Sequence, residues 1–410
     1  QNVTSSHSLQ RIGRAYTSLA LLVFNLLLAF ACLNLALLPF LPEQEEPLSI
    51  PNYIFGPLQY GIENLRPAYP DYTDTQIMRL IIEHVNNLPL ACDAELIFAE
   101  NAFKGHYLNV SDDYYRLIED QVPLREMSEY YTIFIFGGST TYGYGEADWQ
   151  TIPSHLQRIL RQQALGGRKL IAIFNFGQRS YFSLQERLLF QQLVRRGFKP
   201  DMAVFIDGLN DTHNIGVPSY ACVRRDIISR SLRCPSNGPC LPLARLVQHV
   251  VNPTVTLEPV DLPPADDAIF NARLIERWWD QWSQIRAFAS EENISTLLVR
   301  QPVPGFAYEL DYHPFANRSD VRITRSAYTY PLWEERVGSD PDFDYLDLAY
   351  MSQDRQEILY VDLVHYTGAF MRDIAQEIAV KIVQMMDEPT RRMLGLPRAD
   401  EPVFRFGASW

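Results

Sequence analysis

The chain has 410 residues, 47% of them apolar, 21% charged and 12% aromatic. That is material for about two to three domains with a large buried core, and it excludes a disordered, collagenous or coiled-coil protein. A formal net charge of -13 excludes a surface built to neutralise phosphates, which needs concentrated Lys and Arg, so no nucleic-acid partner is expected.

Ser18 to Phe40 reads SLALLVFNLLLAFACLNLALLPF, an apolar run close to the ~20 residues needed to cross hydrocarbon. One transmembrane helix is expected over 18–41, after a short cytoplasmic segment 1–17. A cleaved signal peptide is the rival, but its apolar region spans about 7–15 residues and ends at small side chains. Here the run is longer and ends in Pro39-Phe40-Leu41-Pro42. Arg11 and Arg14 precede it, and Glu43, Glu45 and Glu46 follow. The positive-inside rule then puts the N-terminus in the cytoplasm and everything past residue 42 in the periplasm or at the cell surface. The lipid bilayer is the expected partner of residues 18–40, and a membrane-protein partner is a further expectation.

Cys32 lies in the span, leaving Cys92, Cys222, Cys234 and Cys240 where disulfides form. Two bridges in one of three connectivities fit that count, one of them stapling a loop between Cys222 and Cys240; unpaired buried thiols are the alternative. A zinc site of His213 with the three clustered cysteines lacks C-x-x-C or paired-histidine spacing. No metal or cofactor is expected.

Residues 42–130 read as an irregular stalk, rich in Pro and Tyr up to about residue 74, followed by a small appended layer. No helix is expected in the stalk. Asp74–Asn87 carries Ile77, Leu80, Ile81 and Val85 at helical spacing.

From Tyr131 the pattern changes. YTIFIFGG (131–138), KLIAIFNFG (169–177) and DMAVFIDG (201–208) are apolar runs ending in Gly, as in strands buried on both faces of a parallel sheet. Helices are expected at Thr151–Ala164 and Ser183–Arg196 between them, then a helix Ala268–Ser290, a strand Ser295–Arg300 and a closing helix from about Thr367 to Met386. This alternation predicts an α/β fold, a doubly wound parallel sheet with helices on both faces, over 131–386. Insertions at 212–265 and 302–355 read as irregular and as candidates for shaping a pocket. Residues 387–410 are left as a C-terminal tail.

Chemistry in such a sheet belongs just after the strands. Ser139 follows Gly137-Gly138 at the end of the first strand, where a tight turn exposes a small hydroxyl. Gly177 could offer a backbone N–H and Asn210 a side-chain amide, two donors of an oxyanion hole. Asp362-Leu-Val-His365 sets a carboxylate and an imidazole three residues apart before the last helix, so that the histidine accepts a serine proton while the aspartate orients it. Each of these also has an ordinary reading as a cap or turn residue; the ordered set is what carries weight. His155, His213 and His313 read as surface or loop residues, His213 able to line a pocket. Trp278, Trp279 and Trp282 read as sheet-packing core with one rim aromatic rather than a sugar platform. Asn-x-Ser/Thr sequons fall at Asn2, Asn109, Asn210, Asn293 and Asn317; a glycan on Asn210 would block the proposed hole.

In order, F-G-G-S-T (136–140), N-x-G (175–177), G-L-N-D (208–211) and D-x-x-H (362–365) resemble the blocks of the SGNH hydrolase superfamily, the GDSL-type esterases and lipases. The resemblance covers about residues 131–386. It implies a flavodoxin-like three-layer sandwich, with Ser139 as nucleophile, His365 as base, Asp362 completing the triad, and Ser139, Gly177 and Asn210 forming the oxyanion hole. Gln301-Pro302 fits the same template. One departure is that Gly138 stands where the family usually has Asp. The resemblance makes an ester hydrolase acting on acylated glycans, lipids or other esters the first expectation, an O-acyltransferase of extracellular polysaccharide on the same site the second, and a non-catalytic subunit of a membrane assembly the third.

Overall fold

The computed structural model describes residues 3–37, 60–87, 91–93, 95–164, 166–213, 263–316, 321–340, 343–399 and 401. The chain divides into two units, 1–49 with 221–260 and 50–220 with 261–410. In the first, helix α1 (Val3–Leu37) contains Thr17–Ala36, long and apolar enough to cross a membrane. Its polar Asn34 donates from Nδ2 to Phe30 O one turn back (2.8 Å), so the amide is satisfied by its own helix. Residues 38–59 and 214–262, and with them Cys222, Cys234 and Cys240, lie outside the described residues.

The second unit is wound around a parallel sheet of β5 (Tyr131–Gly137), β6 (Ile171–Asn175), β7 (Met202–Asp207), β8 (Ser295–Arg300) and β9 (Tyr345–Asp347), in the spatial order β6-β5-β7-β8-β9. All four pairings are parallel. β5, β6 and β7 are nearly continuous apolar sequence, yet the period-2 alternation survives within them as aliphatic against aromatic. Ile133, Ile135, Ile171, Ile173, Val204 and Ile206 face one layer, where α5 (Ile152–Gln163) and α10 (Gly368–Met385) pack. Phe134, Phe136, Phe174 and Phe205 face the other, against α6 (Ser183–Arg195) and α8 (Ala268–Glu291). On that face Phe136 and Phe205 stack with centroids 4.9 Å apart, and Trp278, Trp279 and Trp282 are all buried, leaving no rim aromatic. The fold is a doubly wound α/β sandwich with helices on both sides of the sheet.

The expected irregular segment 302–355 instead contains α9 (Val321–Gly338) and the edge strand β9. Pro331 inside α9 hides the helical period, and β9 is three half-buried residues, too short to stand out. Trp333 of α9 lies on Trp278 of α8 with ring centroids 3.7 Å apart, which makes this segment part of the aromatic layer. The tail also folds: α11 (Glu388–Leu394) is capped by Asp387, and Leu394 and Leu396 join the aliphatic layer.

Helical turns stand as well where none was expected, α2 (Ile62–Leu65) and the 3₁₀ turn Arg66–Ala68, with Pro67 tolerated near the turn's start. Leu65, Ala68 and Tyr69 pack there on Ile77, Leu80 and Ile81 of α3 (Asp74–Asn86). Two short antiparallel pairs, β1 (Ala91–Asp93) with β2 (Ile97–Ala99) and β3 (Phe103–Lys104) with β4 (Asn109–Val110), complete the appended layer.

Candidate active site

β5 delivers the chain into a single helical turn, α4 (Ser139–Tyr142), opened by Gly138. Ser139 takes the first helical position, where the N–H has no intrahelical acceptor, and its carbonyl receives the N–H groups of Gly143 and Tyr144, both at 3.0 Å. His365 arrives on a loop closed by the Tyr360↔Tyr366 bridge and by Val361 N donating to His365 O (2.8 Å). That closure forces 362–365 into a tight turn, and Asp362 Oδ1 accepts the N–H groups of Val364 and His365, both at 2.9 Å.

His365 Nδ1–H donates to Asp362 Oδ2 at 2.7 Å, and Ser139 Oγ–H donates to His365 Nε2 at 2.7 Å. The three side chains thus form one line of hydrogen bonds. Burial pushes the Asp362 carboxyl up, but the electrostatic pull and hydrogen bond of His365, with the two backbone N–H donors, outweigh this and hold it below the usual carboxylate value. An ionised Asp362 fixes the imidazole tautomer that leaves Nε2 free to accept.

The two expected oxyanion donors sit against the Ser139 turn. Asn210, on α7 (Leu209–His213), points Nδ2 toward Gly138 and donates one of its two N–H groups to Tyr181 O (2.7 Å). Gly177 packs on the backbone of Thr141 and Tyr142, but its N–H does not point freely at Ser139; it donates to Asn175 Oδ1 at 3.0 Å. In this state the Gly177 N–H is engaged by the side chain at the end of its own strand. Behind Asn210, Asp211 Oδ1 accepts both the N–H and the hydroxyl of Ser183 (3.2 and 2.5 Å), which ties α7 to the start of α6. Burial raises Asp211 and its buried neighbours Asp207 and Glu186 above ordinary carboxyl values.

Two of the three unassigned histidines are not surface residues. His155 lies buried in α5, and burial holds it down at about 3. His313 is buried under the base loop: its Nε2 lies 3.1 Å from Leu363 O, and its ring stacks on Tyr360 at 4.9 Å and 5°. With Nδ1 accepting from Phe315 N, Nε2 must carry the proton and donate to Leu363. The side chain of His213 lies outside the described residues. The side-chain amides of the sequon residues Asn109 and Asn210 each donate one N–H, to Asp148 Oδ2 and Tyr181 O.

A further set of residues near the site carries no sequence motif. Arg116, fully buried, donates to Asp148 and to the carbonyls of Tyr142, Gly143 and Glu146 (2.6–2.8 Å), staking down the loop after Ser139. Arg179, two residues past Gly177, pairs with Glu100 of the appended layer (Nε to Oε1 2.6 Å) and donates to the carbonyls of His84 and Asn87. A charge in the sequence gives no hint that it will be buried, so no pattern marks these residues. Beside the triad, Leu209, Leu363 and Val364 join Val303 and Tyr330 in an apolar cluster. Among the described residues no group of His, Cys, Asp and Glu could hold a metal ion.

No family model matches the chain, and no curated protein matches it. Solved structures resemble it at low identity. An acetyl xylan esterase, AlAXEase, is 15% identical over 60% of this chain and 97% of its own, with a TM-score of 0.35. A GDSL-like lipase from Bacteroides thetaiotaomicron is 11% identical over 64% and 90%, TM-score 0.35. The psychrotrophic esterase EstA from Pseudoalteromonas sp. is 12% identical over 62% and 96%, TM-score 0.32.

Proposed function

We propose that this chain is a serine ester hydrolase of the SGNH kind, working through Ser139, His365 and Asp362. The observation that carries the reading is the pair of 2.7 Å hydrogen bonds joining the three side chains at the carboxyl end of the sheet. Ser139 Oγ adds to the ester carbonyl carbon as its proton passes to His365 Nε2, and the carbonyl π electrons move onto oxygen. The oxyanion is held by the Ser139 N–H and by the second N–H of Asn210; Gly177 joins them if its bond to Asn175 is shared. Collapse expels the alcohol with the proton from His365, and water repeats the sequence to free the acid. The apolar cluster around Leu363 and Val364 gives an acyl group a neighbour outside water.

In this reading α1 anchors the chain, with Arg11 and Arg14 on the cytoplasmic side and the hydrolase unit outside, where it meets acylated glycans, lipids or secreted esters. Water and a glycan hydroxyl compete for the same acyl-enzyme, and the choice between hydrolysis and transfer lies in which acceptor enters. The test is turnover of p-nitrophenyl acetate and butyrate by the full chain in detergent, with fluorophosphonate labelling, for wild type and Ser139→Ala. Ser139-dependent turnover and labelling are expected. A folded wild type that neither turns over nor labels would leave only the non-catalytic reading.

A further inference from the structure

We propose that Tyr144 is a positioning residue of the triad, its ring a floor that holds the His365 imidazole in line with Ser139 and stabilises it when it becomes a cation. The proposal rests on the Ser139–His365–Asp362 reading above. Tyr144 sits in Tyr142-Gly-Tyr-Gly-Glu146, where Gly143 and Gly145 both adopt left-handed backbone (φ +86° and +87°) open cheaply only to glycine. The two bends turn Tyr144 back over the turn it has just left. Its N–H donates to Ser139 O at 3.0 Å, so the residue hangs from the nucleophile itself. Its buried ring then lies on His365, centroids 4.7 Å apart and planes tilted by 45°.

A second imidazole supports the same ring. His84 meets it edge-on at 5.1 Å and 64°. Burial, with the guanidinium groups of Arg116 and Arg179 nearby, drives His84 well below the ordinary histidine value. It is therefore neutral, and its Nε2–H donates to Glu146 O at 3.0 Å. Tyr144 thus touches one imidazole that stays neutral and one that must accept a proton in the reaction. As Ser139 Oγ bonds the carbonyl carbon, its proton moves to Nε2 and positive charge appears on the ring that Tyr144 faces. An aromatic face attracts that charge more than the neutral ring, so the contact strengthens toward the transition state. Glu146 Oε1 accepts Gly368 N–H (2.8 Å), tying the far end of the same five residues to the helix that follows His365.

The experiment uses the full chain in detergent, p-nitrophenyl acetate kinetics and fluorophosphonate labelling, comparing wild type, Tyr144→Phe, Tyr144→Leu and Tyr144→Met, with melting curves for each. Phe keeps the ring, and kcat is expected within about twofold of wild type. Leu and Met remove the π face, and kcat and the labelling rate are expected to fall about three- to thirtyfold with KM held within about twofold. Met fills more of the vacated volume and is the variant to read if Leu fails to fold. The proposal is overturned if folded Leu or Met variants keep wild-type kcat, if the loss falls in KM alone, or if Phe loses as much as Leu. Absence of Ser139-dependent labelling in wild type would overturn the triad reading, a failure visible before any Tyr144 variant is compared.

Discussion

Gly138 and Asn210 share one space: a methyl group on Gly138 would lie 2.3 Å from Asn210 Nδ2 and 3.1 Å from Tyr181 O. The backbone of Gly138 (φ -80°) is open to any residue, so the demand for glycine here is one of room alone. Any side chain at this position would displace the amide. Gly138→Ala is therefore expected to fold and to lose about ten- to hundredfold in kcat by moving Asn210. Asn210→Ala is expected to lose about 10²–10³-fold. Because one substitution acts through the other residue, the double variant should fall no further than Asn210→Ala, which steady-state kinetics on the four proteins would show.

In the proposed mechanism, removing the Ser139 hydroxyl leaves only what binding and the oxyanion donors supply. Ser139→Ala is expected to cost at least about 10³-fold in kcat, and Asp362→Asn about 10²–10⁴-fold. The Asn variant keeps the shape of the 362–365 turn but allows the imidazole to present the wrong tautomer to Ser139. Its melting temperature should stay near that of wild type, so that a large fall in melting temperature would count against a role confined to the chemistry.

Glu146 offers a pH test. Burial pushes its carboxyl up to about 8, from an ordinary value of 4.5, and its Oε2 has no hydrogen-bond partner among the described residues. A folded-state value above the unfolded one means that the folded chain binds the extra proton. Stability from this group is present in full below about pH 4.5 and is lost as pH rises toward about 8. Glu146→Gln keeps an acceptor for Gly368 N–H and removes the titration. Relative to wild type it should gain a few kcal/mol of stability between pH 4.5 and pH 8.5, read from denaturant midpoints. A difference that is flat across this range would refute the assignment.

The Arg179–Glu100 pair tests how the appended layer supports the site. Both side chains are buried, and Glu100 Oε1 also accepts the Arg179 N–H at 3.1 Å. Glu100→Ala strands a guanidinium in the interior and is expected to destabilise by about 3–5 kcal/mol, while Glu100→Ala with Arg179→Met recovers most of that loss. Chemical denaturation of the three proteins measures both values.

β5, β6 and β7 are legible because each is an apolar run that leads into Gly, and the polar residues just past them are legible because that is where an α/β sheet exposes side chains. α9 is not, since Pro331 interrupts its period, and β9 is a three-residue edge that becomes a strand only by pairing with β8. The closeness of Ser139 to His365 can be expected from block order but not its support. Arg116 and His84 act through backbone carbonyls of the 142–146 loop, and such bonds depend on where two distant segments meet rather than on either sequence. The engagement of Gly177 N–H by Asn175 is equally invisible, because the asparagine reads as the end of a strand.

Ser139 and His365 stand 226 positions apart in the chain. Loop-closure of that span must precede any activation of the serine, and the base reaches it only when the last long helix has docked on the aliphatic face. Until His365 is in place, the Ser139 hydroxyl is an ordinary alcohol. In the proposed hydrolase, synthesis from the N-terminus delays reactivity to the final stage of folding.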